Sequence, residues 1–184
     1  FASLGLMTMG MVGMYVGVVG LKPIAAEFGI SRGVGSLPYA LFMLGFGLGN
    51  IAHGRLADRY GTMVPALIGS IALPAGLILS AQADELWQFF VAITFLAGTL
   101  GSSAVFVPIV ADTSYWFTER RGLAVAFVLS GSYFAGAIWP PILQYLIDTG
   151  GWRSAFVTVG YICLAAMLPL SVLLYGKPDR LLAA

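Results

Sequence analysis

An all-α membrane protein of six transmembrane helices is the fold class this sequence predicts, and three observations carry the prediction. Hydrophobic residues make up 59% of the 184 and charged residues only 9%, against roughly 45–50% apolar usage in soluble domains. The charges are gathered into short clusters that separate six uncharged runs: Phe1–Leu21, Gly33–Gly54, Tyr60–Ala83, Leu86–Ala111, Gly122–Ile147 and Ser154–Gly176. Each run passes the length test, since a hydrocarbon core about 30 Å thick needs about 20 apolar residues wound as helix.

Other classes fall away on composition. The net charge of +1 leaves no basic field for nucleic acid. A single cysteine, Cys163, lies inside an apolar run and cannot build a disulfide framework, so it reads as core filler. No nucleophile–base pair or metal-ligand cluster falls within the runs, which argues against an enzyme and against a cofactor. The first run is too long for the apolar region of a cleaved leader. The chain opens at Phe1 without methionine, which sets the expectation that it belongs to something longer.

In the first run, Gly13-x-x-x-Gly17 reads as a helix-packing face. Met7, Met9, Met11 and Met14 read as apolar filling that could line a cavity, and Tyr15 is a polar candidate within it. Lys22 sits at the end of that run, where a snorkelling lysine is expected. The second run holds Tyr39 and Asn50 as polar candidates. Its Gly45-x-Gly47-x-Gly49 has no preceding strand and is no nucleotide loop; close helix packing accounts for it. His53, alone among metal ligands, reads as an interfacial residue.

Between the second and third runs lies Gly54-Arg-Leu-Ala-Asp-Arg-Tyr-Gly61, two arginines and an aspartate in eight residues. It reads as a tight water-facing turn whose glycines let helix ends approach. The fourth run holds Ser102, Ser103 and Pro108 and ends beside Asp112. Counted from Trp87, 25 residues of helix rise about 38 Å, so Asp112 belongs at the helix end, with Arg59, Arg120 or Arg121 in reach, where a gate ion pair is favoured over a proton site. The fifth run carries Ser130, Gly131, Ser132, Tyr133, Gly136, Pro140 and Pro141; its prolines bend it and its small residues pack.

Lysine and arginine placement orients the chain. Arg55, Arg59, Arg120, Arg121, Lys177 and Arg180 fall at one set of helix ends and Lys22, Arg32 and Arg153 at the other. The first set should be cytoplasmic, with both chain ends inside. A faint echo, Phe28-x-x-x-Arg32-Gly33 against Phe117-x-x-x-Arg121-Gly122, fits a 3+3 inverted repeat.

Gly54-x-Leu-Ala-Asp58-Arg59-x-Gly61 resembles the signature between helices 2 and 3 of the major facilitator superfamily, although Thr62 and Met63 stand where that pattern continues with basic residues. Arg121-Gly-x-Ala-x-Ala, Pro140-Pro141, Gly151-Trp-Arg and the connection from Lys22 to Arg32 are similar to the monocarboxylate porter and oxalate/formate antiporter branch. The resemblance covers nearly the whole chain and implies the N-terminal half of a twelve-helix transporter in a bacterial inner membrane. It implies gating by Gly54, Asp58, Arg59, Gly61, Asp112, Arg120 and Arg121, with Gly131, Gly136 and Pro140 serving helix packing. It also implies a central cavity lined from helices 1 and 4, with Tyr15, Tyr39, Asn50, Ser102, Ser103, Ser130 and Tyr133 as substrate contacts. Some relatives use a lysine where this chain has Tyr15.

The expected function is therefore alternating-access transport of small organic anions, coupled to protons or to anion exchange, through a lipid bilayer. The partner is a missing C-terminal half or a second copy. No cation sits at mid-span here, so the other half is expected to supply one for the anion. A self-contained six-helix protein, working as a homodimeric half-transporter, a pore or an assembly partner, is the competing reading.

Overall fold

A computed structural model describes residues 1–117 and 119–174, and all their regular structure is helical. Helix α1 covers Ala2–Val19, with a step at Met11 (φ −81°, ψ −6°), and a short helix, Leu21–Glu27, prolongs it. α2 covers Gly33–Tyr60, α3 Met63–Ala81 and α4 Leu86–Trp116. The long helix Arg121–Val172 breaks at Gly151 (φ 79°, ψ 163°). That left-handed φ is open to glycine at little steric cost, and it separates two antiparallel arms, α5 (121–150) and α6 (152–172).

The reversal is visible in what each arm touches. Along α5, Gly131 lies beside Leu4 and Met7 and Gly136 beside Tyr15. Along α6, Trp152 bonds Glu27, Gly160 lies against Pro74 and Ile78, and Gly5 approaches Leu170. The sixth run was read to Gly176; its last two positions, with Lys177 and Arg180, lie outside the described residues.

The charged octet is not a turn. α2 continues through it to Tyr60, and the reversal is confined to Gly61 (φ 84°) and Thr62. A 28-residue helix rises about 42 Å, longer than a hydrocarbon core of about 30 Å, and its last turns carry their charges on helix, with Arg55, Asp58 and Arg59 exposed. Charge here marks where the chain leaves the apolar slab, not where the helix stops.

The helices lock through small residues. At Gly49 a Cβ would stand 2.2 Å from the Thr99 carbonyl oxygen and 2.3 Å from Ser103 Oγ, so only glycine lets α2 lie against α4 there. Buried Ser70 donates to the Met167 carbonyl (3.2 Å), joining α3 to α6. Thr8 donates to the Gly131 carbonyl (3.1 Å) and Trp139 Nε1 to the Thr8 carbonyl (2.9 Å), joining α1 to α5. The middle of α4, Ala92–Ser102, is wound as π-helix, with Thr99 Oγ1 donating back to the Thr94 carbonyl at 3.0 Å. Nothing in the residue pattern anticipated that winding.

Candidate functional site

A cavity of about 320 Å³ opens on one face of the bundle. α1 contributes Met11 and Met14 to it, and α2 contributes Phe42, Met43 and Phe46. From α4 come Ser102 and Phe106, and from α5 Leu129, Ser132 and Tyr133. The wall is thioether and aromatic, with three hydroxyls and no charged group among the described lining residues. Met11 sits at the step in α1, which brings a bulky side chain to the cavity edge.

Two of those hydroxyls are unusual. Ser102 is fully buried, and the Oγ atoms of Ser102 and Ser132 are shielded from solvent without a hydrogen-bond partner. A buried hydroxyl left unpaired costs about 1–3 kcal/mol, and most serines on helices satisfy themselves on a preceding carbonyl. Ser70, Ser80 and Ser130 do so here, at 2.7, 2.8 and 2.6 Å. Ser102 and Ser132, from different helices, instead leave two hydrogen-bonding groups in one cavity.

The remaining candidates are placed differently. Ser103 bonds the Thr99 carbonyl and the His53 ring (3.0 Å to Nδ1), so it ties α4 to α2. His53, expected at the interface with water, is only 5% exposed and also lies 3.0 Å from the Gly49 carbonyl. Tyr15 packs on Gly136, and the Tyr39 backbone faces Gly17. Asn50 has a buried, unpartnered Oδ1 but does not line the cavity. Gly131 and Gly136 sit at contacts with α1, and Pro140 lies within continuous helix.

At the cation-rich end Asp58, Arg120 and Arg121 are exposed, a Cβ at Gly54 would stand 3.6 Å from Val107, and the Arg59 guanidinium lies 5.2 Å over the Tyr60 ring. Half-buried Asp112 does not make the expected ion pair: among the described residues no arginine stands within 4.0 Å of it.

The opposite end holds a cluster that residue-by-residue reading passed over. Glu27 pairs with Arg153 (2.8 Å) and accepts a hydrogen bond from Trp152 Nε1. Arg153 also donates to the carbonyls of Ala81 (2.6 Å) and Ala83 (2.8 Å), and stacks 4.6 Å over the Trp152 ring. Phe28, Phe89 and Phe156 pile against that tryptophan. One guanidinium thus fastens the chain after α1, the end of α3 and the start of α6. Burial raises the Glu27 carboxyl, but the hydrogen bonds from Trp152 and Arg153 and the Arg153 charge outweigh it and hold the group below its ordinary value. The available signal was that Glu27 and Arg153 fall at the same set of helix ends.

These features define the class: an integral, multi-pass helical bundle with a cavity on one face. Residues 1–183 match the family model described as Major Facilitator Superfamily, and the chain belongs to that superfamily, as one half-domain of its fold. Its members are transporters, not enzymes. Monocarboxylate transporter 11 of Mus musculus is 34% identical over 129 residues, covering 67% of this chain and 28% of that protein. The MFS-type transporter pynF of Aspergillus niger is 30% identical over 147 residues, covering 80% and 33%. Monocarboxylate transporter 12 of Mus musculus is 28% identical over 162 residues, covering 85% and 32%. The chain thus spans about a third of the length of these relatives.

Proposed function

We propose that this bundle is the N-terminal half of a secondary transporter that moves small organic anions such as monocarboxylates by alternating access, coupled to protons or to counter-moving anions. The observation that carries the reading is the pair of unpartnered buried hydroxyls, Ser102 and Ser132, in an otherwise apolar cavity. Two donors on different helices can hold the oxygens of a carboxylate while methionine and phenylalanine side chains enclose its carbon skeleton. The names of the relatives agree with that cargo class. The bundle rocks against a second six-helix half, or a second copy, about this mid-membrane site, as inverted-repeat transporters do. The other half supplies the cation that an anion in a low-dielectric cavity needs. The cation-rich end faces the cytoplasm of a bacterial inner membrane, with both ends of the chain on that side.

Uptake of labelled lactate, pyruvate and oxalate into proteoliposomes of the full-length protein, with and without a pH gradient, tests the reading; no transport across that panel refutes it. Ser102→Ala combined with Ser132→Ala should raise KM about tenfold, the effect of losing two hydrogen bonds of about 0.5–1.5 kcal/mol each. An unchanged KM removes the serines from the site. In the same proposal Asp58, exposed on the last turn of α2, meets a group across the moving interface and holds one conformation. Asp58→Asn should then slow turnover several-fold with little change in apparent affinity. A large affinity loss at normal turnover contradicts a gating role.

A further inference from the structure

A second cavity, about 700 Å³, lies between α4 and α5 on the cation-rich side of the first. Phe106 and Leu129 border both cavities, so the two share an apolar edge. The second chamber is lined along α4 by Val110, Ser114 and Tyr115, and it meets α5 at Arg121. Arg121 is the one charged residue among the described lining residues of either chamber. It is exposed, and no described carboxylate stands within 4.0 Å to neutralise it.

Resting on the reading above, we infer that Arg121 is an anion-docking residue, holding a carboxylate in this outer chamber on its way between water and the Ser102–Ser132 cavity. An anion passing the apolar edge at Phe106 and Leu129 sheds part of its hydration, and the cost falls if a fixed cation stands next to the crossing. A guanidinium suits this because its planar fork takes both oxygens of a carboxylate at once and stays charged at any working pH. Ser114 already donates to the Ala111 carbonyl (2.7 Å) and leaves the anion to the arginine. Arg121 is then a substrate contact and not a member of a closed gate pair.

The test places a reporter thiol in the chamber with Ser114→Cys in the full-length protein, held in phosphatidylcholine nanodiscs so that no anionic headgroup competes. Labelling at position 114 is followed by mass spectrometry with an anionic sulfonate and a cationic trimethylammonium methanethiosulfonate. The anionic reagent should react faster, Arg121→Gln should lower the anionic-to-cationic rate ratio at least fivefold, and Arg121→Lys should lower it less than twofold. Pyruvate should slow labelling in the parent and not in Arg121→Gln. A ratio indifferent to Arg121→Gln, or pyruvate protection that survives it, overturns the inference. If Arg121→Gln does not fold, the parent ratio must fall as ionic strength rises from 10 to 500 mM, because an exposed charge is screened; a ratio that ignores salt overturns it equally. Transport without Arg121-dependent protection sinks this inference alone, and protection without transport sinks the proposed function alone.

Discussion

Gly49→Val is expected to abolish the folded bundle, with the yield of monodisperse protein in detergent falling at least about tenfold. The Cβ of any larger residue would enter the Thr99 carbonyl at 2.2 Å, and that oxygen belongs to the backbone of α4 and cannot rotate away. Overpacking a core typically costs about 1–3 kcal/mol where side chains can yield, so a backbone collision should exceed that range. The branched side chain also strikes Ser103 Oγ, whose contact with the buried His53 ring is part of the same seam. Gly47→Val is the matched control. It sits two residues away on the same helix, with nothing within 4 Å of its would-be Cβ, and should leave the yield within about twofold. Equal losses from both would show that helix propensity, and not contact with α4, decides the outcome.

Arg153→Ala should be the most damaging change at the opposite end. It strips the guanidinium from the Ala81 and Ala83 carbonyls, leaves Glu27 without its counter-charge and removes the stack on Trp152. Charge-assisted hydrogen bonds of this kind contribute about 1.5–3 kcal/mol each when buried. Discounted for a half-exposed guanidinium, the total comes to about 2–3 kcal/mol, read as a melting temperature lower by about 5–10 °C. Arg153→Lys should recover only part, because one ammonium cannot fork to two carbonyls and a carboxylate together. The acid dependence has a definite sign. The folded state holds the Glu27 carboxyl below its ordinary 4.5, so its contribution is present above that pH and is lost as pH falls through the lowered value. Melting curves at pH 7 and pH 4 should diverge more for the parent than for Glu27→Gln; identical divergence would remove Glu27 from the fastening.

Much of the architecture was legible because a bilayer imposes a length rule on uncharged runs. Six runs became six spans, with α5 and α6 joined only by a glycine reversal. Helix ends were less legible. Leu56, Ala57 and Asp58 suit a helix as well as a loop, and only the left-handed φ of Gly61 shows where α2 stops. Within the cavity, Ser102 and Tyr133 stood out as polar residues in apolar runs, whereas Ser132 read as packing material, since an unpartnered hydroxyl is a property of its surroundings. Burial of His53 and the union of Glu27 with Arg153 across 126 positions arise from tertiary contact and leave little periodic trace. The π-winding of α4 over Ala92–Ser102 has no counterpart in the residue pattern.

The two rims of the bundle are built unequally. One is riveted by a guanidinium that grips three chain segments at once, while the other, among its described residues, has no rivet of that kind. Under the proposed function, a force from a second bundle meets less resistance at the arginine-studded rim, the compliant one. Damage to the riveted rim should shorten the protein's working life, and damage to the compliant rim should alter its tempo.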